Sequence, residues 1–134
     1  MLKTYQGSCH CGKVRFEADL DLSTGTGKCN CSICTKQRNW GMSIKPDAFR
    51  LLSGQDDLGD YTFGSHSVHH MFCKHCRIRT FSRGYVEEMG GAFYSIALAA
   101  LDNATPEELV TAPVRYFDGR SNHWEREPEE TRHL

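Results

Sequence analysis

Short runs in which apolar and polar residues alternate with period two dominate the chain, the pattern of strands with one buried and one wetted face. Residues 13–19, KVRFEAD, alternate in this way, and Gly7 and Gly12 punctuate the approach, so a hairpin-like start is predicted with Cys9 and Cys11 at its turn. Residues 20–28 are predicted as loop because Ser23, Thr24, Gly25, Thr26 and Gly27 crowd them. Residues 32–38 suit one or two helical turns, and 40–45 and 49–52 read as strands split by a turn at Pro46 and Asp47. Further strands are predicted over 59–63, 68–73, 80–86 and 92–101. In the last, the Phe93/Ser95 alternation and Gly90-Gly91 outweigh the helix preference of its alanines. Thr105-Pro106-Glu107-Glu108 predicts a helix start with Thr105 as N-cap and Pro106 at N1, and 114–117 a final short strand. The pattern describes one mainly β domain over residues 1–124, followed by a charged tail over 125–134 that is expected to be solvated and frayed.

Length agrees with this organisation, since 134 residues suffice for one core of their own. Charge narrows the partners: 16 Lys+Arg against 17 Asp+Glu give a formal net of -1, so no broad field draws nucleic acid or an anionic membrane. No apolar run is long enough to span a bilayer and the first residues lack a signal-peptide core, so a soluble, cytoplasmic protein is expected. Seven cysteines, an odd number in a reducing compartment, point to metal or redox chemistry rather than a disulfide framework.

Their spacing is Cys9-x-Cys11, Cys29-x-Cys31-x2-Cys34 and Cys73-x2-Cys76. The two pairs suffice for a closed tetrahedral four-cysteine zinc site, which is structural because it leaves no open position. The trio Cys29, Cys31 and Cys34 would hold a second zinc with one position free for a ligand, so two zinc ions per chain are expected. Three thiolates make such an ion a weak generator of hydroxide and a better partner for an incoming thiol, which coordination deprotonates. A short helix starting inside the trio would lower the thiol pKa values further. Two other readings stay open: a histidine among His66, His69, His70 and His75 closes the trio into a second structural site, or Cys31 and Cys34 act as a redox dithiol. His10 and His75, inside the two pairs, read as exposed turn residues.

The segments Gly7-Ser-Cys9-His-Cys11-Gly12, Cys29-Asn-Cys31-Ser-Ile-Cys34 and Phe72-Cys73-Lys-His-Cys76 together resemble the glutathione-dependent formaldehyde-activating enzyme family, also called the centromere protein V family. The resemblance spans roughly residues 5–117. It implies a β-tent zinc fold of several small coiled antiparallel sheets, an architecture shared with a Rab guanine-exchange chaperone. It also implies a structural zinc on Cys9, Cys11, Cys73 and Cys76 and a catalytic zinc on Cys29, Cys31 and Cys34. The implied activity is that of a carbon–sulfur lyase interconverting formaldehyde plus glutathione with S-hydroxymethylglutathione. The alternative is a non-enzymatic zinc-stabilised binding module with both metal sites structural. The family's centromere member suggests a chromatin role, against which the near-neutral charge weighs.

Arg77 stands where the family has glycine after the second pair, so a positive φ there would carry strain. A glutathione pocket needs cations for two carboxylates, and Lys28, Lys36 and Arg38, with Gln37, lie near the trio while Arg77, Arg79 and Arg83 follow the second pair. Trp40 is a candidate pocket wall, Phe72 a candidate packing residue for the second pair, and Tyr61, Tyr85 and Tyr94 are undistinguished candidates for a proton donor. Strand edges in so small a domain make a homodimer an option.

Overall fold

The computed structural model describes residues 1–134. Its strands are β1 (Lys3–Ser8), β2 (Arg15–Leu20), β3 (Thr26–Cys29), β4 (Gly41–Ile44), β5 (Phe49–Ser53), β6 (Leu58–Tyr61), β7 (Val68–Cys73), β8 (Arg79–Val86), β9 (Gly91–Ala97) and β10 (Val114–Phe117). Two short helices, α1 (Ser32–Gln37) and α2 (Pro106–Thr111), interrupt them. No helix is long and apolar enough to cross a membrane. The chain is mainly β, as the alternation predicts.

The strands form a three-stranded sheet, β1-β2-β5, and a seven-stranded one in the order β10-β3-β4-β9-β8-β7-β6. Pairing is antiparallel throughout except that β10 runs parallel to β3. β2 shows how alternation becomes packing. Phe16, Ala18 and Leu20 are fully buried, whereas Glu17 and Asp19 face outward and pair with Arg50 of β5. The buried face meets Met71, Phe81 and Ile96 of the larger sheet, so the core lies between the two sheets. Its centre is aromatic: Phe49 stacks on Tyr94 at 4.2 Å between ring centroids and tilts against Phe81 at 4.6 Å.

Three predictions are corrected. Residues 26–29 are strand, because hydrogen-bonding partners in β10 and β4, remote in sequence, override a loop-like composition. The run 92–101 ends as strand at Ala97, after which Leu98–Ala100 form a 3-10 turn. The tail is exposed over most of its length, but its end is pinned: Leu134 is buried, and its carbonyl accepts from Lys28 Nζ at 3.2 Å and Arg38 Nη2 at 3.5 Å.

Candidate metal centres

The turn between β1 and β2 carries Cys9 and Cys11, while Cys73 ends β7 and Cys76 lies in the turn that leads to β8. Gly12 closes the first turn at φ 82, a backbone conformation only glycine adopts without strain. Phe16 lies so close over Gly7 that a Cβ there would fall 2.2 Å from its ring, so the approach to the cysteines also requires glycine. The four sulfurs lie within 4.8 Å of one another, with Cys9–Cys11 and Cys11–Cys73 each at 3.6 Å. A tetrahedron with Zn–S bonds of about 2.3 Å has edges of about 3.8 Å, so the donor set fits zinc closely. Backbone amides point at the sulfurs as well, Val14 N–H at Cys9 Sγ (3.3 Å) and His75 N–H at Cys73 Sγ (3.4 Å). Cys9, Val14 and Cys73 form a small buried cluster of their own, against which Leu51 and Leu58 pack. Arg77 closes this turn at φ 68. The Phe72 ring lies over Gly59 of β6.

The second cluster is local. Cys29 ends β3, Cys31 caps α1 and Cys34 lies in its first turn, and the three sulfurs again fall within 4.8 Å of one another. Cys29 and Cys31 are nearest at 3.2 Å, and all seven cysteines are free thiols. Without metal the three contend for one negative charge. Hydrogen bonding from Cys29 and then Cys34 pulls the Cys31 thiol down to about 2, and the amides at Cys34 and Ile33 add to the shift. The same competition with Cys29 and Cys31 pushes Cys34 well above the ordinary thiol value. A divalent cation relieves this contest by ionising all three. The donor set is therefore compatible with zinc at both clusters, with three sulfurs rather than four at this one.

Asn30, between two of the cysteines, is buried and holds the turn to the end of β10. Its Nδ2 donates to Asp118 Oδ1 at 3.0 Å, and its Oδ1 accepts from Arg120 N–H at 2.9 Å. Asn39 Nδ2 approaches Cys34 Sγ at 3.9 Å, and Arg79 donates to Asn39 Oδ1 at 2.5 Å. Sequence reasoning missed Asn30, Asn39, Asp118 and Arg120; only the polar Asn30 set between two cysteines offered a signal. Of the four candidate histidines, His66 bonds Thr62, His69 bonds Asp60 and His75 bonds Asp57, and none belongs to the sulfur cluster. His70 is different: its buried Nδ1 has no partner, and burial together with the Arg79 charge pulls its pKa down. Phe63 stacks on its ring at 5.6 Å, with Tyr61 next in the row. Three of the four buried side-chain atoms that lack a partner, Thr35 Oγ1, His70 Nδ1 and Arg79 Nε, belong to residues that adjoin the trio in sequence or feel its charge.

Among the other candidates, Lys28 Nζ sits over the Trp40 ring at 5.7 Å, and Trp40 Nε1–H donates to Thr26. Lys36, Gln37 and Arg83 are exposed; Tyr94 is half-buried and packs against the core, and Tyr61 and Tyr85 are largely exposed.

Residues 4–117 match the family model described as glutathione-dependent formaldehyde-activating enzyme. The chain belongs to that family. A crystal structure of a Rhodobacter sphaeroides protein is similar to it at 27% identity and a TM-score of 0.69, over 82% of this chain and 99% of the other. The family match covers every cysteine of both clusters and all ten strands from β1's second residue to the end of β10. What the family's description adds to the geometry is a thiol, glutathione, and an aldehyde, formaldehyde.

Proposed function

We propose that the protein is a zinc-dependent carbon–sulfur lyase acting on the hydroxymethyl adduct of glutathione or of a similar small thiol. Cys9, Cys11, Cys73 and Cys76 hold a structural zinc, and Cys29, Cys31 and Cys34 hold a catalytic one. The observation that carries this reading is a cluster of three sulfurs, and no fourth protein donor, gathered within 4.8 Å in a family named for glutathione chemistry. When bound, zinc on three thiolates supplies an open position at which a substrate thiol ionises near neutral pH.

The chain's own groups do the rest. Lys28, beside Cys29, and Arg38, at the far end of α1, converge on an acceptor oxygen, that of Leu134. Six helical residues rise about 9 Å, a span that suits a tripeptide whose thiol lies at one end of α1 and whose carboxylate lies at the other. The same two cations suit such a carboxylate when it takes the place of the Leu134 oxygen.

A second reading has one observation in its favour: the unpartnered Nδ1 of His70. A rearrangement of β7 that brought it to the trio would close a second structural site. Zinc content measured under mild chelation, with and without glutathione, separates the two. Two zinc ions, one labile and protected by glutathione, together with turnover of S-hydroxymethylglutathione, are expected for the enzyme. Two chelation-resistant ions indifferent to glutathione would overturn it in favour of closure by His70.

A further inference from the structure

Arg79 opens β8 three residues after Cys76, yet its guanidinium serves the other cluster. One terminal nitrogen donates to Asn39 Oδ1 at 2.5 Å and the other to Ser82 Oγ at 3.1 Å, while Nε is sealed from solvent with no partner. No carboxylate pairs with it; every ion pair in the molecule uses other residues. A cation withdrawn from water without an acid is costly, so its counter-charge has to come from elsewhere. Beyond its partner Asn39 lies Cys34 Sγ, 3.9 Å from that amide, and a divalent ion on three thiolates there would carry a net charge of about -1.

The hydrogen-bond chemistry fixes a direction. A guanidinium can only donate, so the Asn39 amide must turn its oxygen to Arg79 and its NH2 to Cys34 Sγ, 3.9 Å away. The Asn39 backbone N–H donates to the Cys34 carbonyl at 3.0 Å, which anchors the amide to the same turn of α1. A cation on the carbonyl side of an amide polarises its N–H groups.

We propose that Arg79 is a positioning residue for the trio: it orients Asn39 as a donor to Cys34 and supplies the counter-charge of the three thiolates around a bound divalent ion. Donation to Cys34 withdraws electron density from that sulfur, so the metal keeps more affinity for an incoming thiolate than three unsupported cysteines would allow. This rests on the reading of the trio as an open metal site, and its test is therefore made on the metal rather than on turnover.

The experiment compares the wild-type chain with Asn39→Ala, Arg79→Gln and Arg79→Lys. Zinc affinity of the weaker site is measured by competition with a chromophoric chelator, and the sulfur-to-metal charge-transfer band is recorded with Co2+. Asn39→Ala and Arg79→Gln are expected to weaken the trio about ten- to a hundredfold, the usual effect of losing a partner of a metal ligand, and to move the band to longer wavelength. Arg79→Lys restores part of the affinity, through its charge, but not the band, because a lysine does not hold the amide in the same fork. The four-cysteine site keeps its ion in each variant and so reports an intact fold; if Arg79→Gln loses both ions, Asn39→Ala and Arg79→Lys carry the comparison. Variants with wild-type affinity and band would overturn the relay while leaving the open site standing. A wild-type chain that binds a single ion would overturn the open site and the relay together.

Discussion

Arg77 is the clearest case in which one residue's backbone decides a local energy. It closes the second cysteine turn at φ 68, in the left-handed region, where a Cβ costs about 1 kcal/mol or more and glycine very little. The side chain is exposed and makes no hydrogen bond or ion pair that would offset the cost. Arg77→Gly is therefore expected to raise stability by up to about 1 kcal/mol, part of the relief being returned as greater freedom of the unfolded chain. Thermal melts of the zinc-loaded proteins check this, and a lower Tm for the glycine variant would refute it. The position was legible in the sequence through the family resemblance, which sets glycine after the second cysteine pair where this chain has Arg77. Asn39 and Arg79 were not legible as partners, because forty positions separate them and only the seven-stranded sheet, which brings the start of β8 beside the end of α1, makes them neighbours.

At the scale of elements, α2 shows how a helix too short to be stable alone is held. Thr105 and Glu108 form a reciprocal capping box, with Pro106 at the first helical position. Glu108 does more, accepting from Tyr5 O–H and from Lys3 Nζ at 3.1 Å, and so ties the helix to β1. Its carboxyl is held down to about 2 by the Tyr5 hydroxyl and then by Lys3, from an ordinary value of 4.5, and the Tyr5 phenol is pushed up to about 12 by burial and by Glu108. A depressed carboxylate stabilises the fold above its unfolded-state pKa and loses that contribution as pH falls toward its folded value. The difference in Tm between the wild type and Glu108→Gln is thus expected to be full at pH 7 and to close as the pH drops from about 4.5 toward 2. Melts are compared down to the pH at which the four-cysteine site still holds its ion, and a difference that does not begin to narrow below about 4.5 would show that the ionised form of Glu108 contributes nothing. The helix start was plain in the sequence, since a capping box is written within four residues. The strand at Thr26–Cys29 was not, since its reason for existing is β10, nearly ninety residues away.

At the scale of the molecule, the two cysteine clusters differ in what they join. Cys9 and Cys11 belong to the end of the three-stranded sheet and Cys73 and Cys76 to the seven-stranded one, so an ion between them ties both sheets and closes a span of 62 residues from Cys11 to Cys73. Cys9 and Cys73 are also buried in a satellite core of their own, where without an ion they would be desolvated thiols. The trio draws every sulfur from residues 29–34, a stretch already fixed by α1, by β3 and by Asn30 on Asp118, so closing it links nothing distant. Metal binding at the first cluster should then be folding energy and at the second mainly a local property. Cys73→Ser is expected to unfold or aggregate the protein, with loss of its cooperative melt. Cys34→Ser should keep that melt within a few degrees while lowering zinc by up to about one equivalent per chain. A normal melt for Cys73→Ser would mean that packing between the sheets, through Phe16, Phe49 and Phe81, holds them without the ion. Global unfolding of Cys34→Ser would mean that the trio holds β10 and the chain's last residues in place, a structural role incompatible with an ion that must open to admit a substrate.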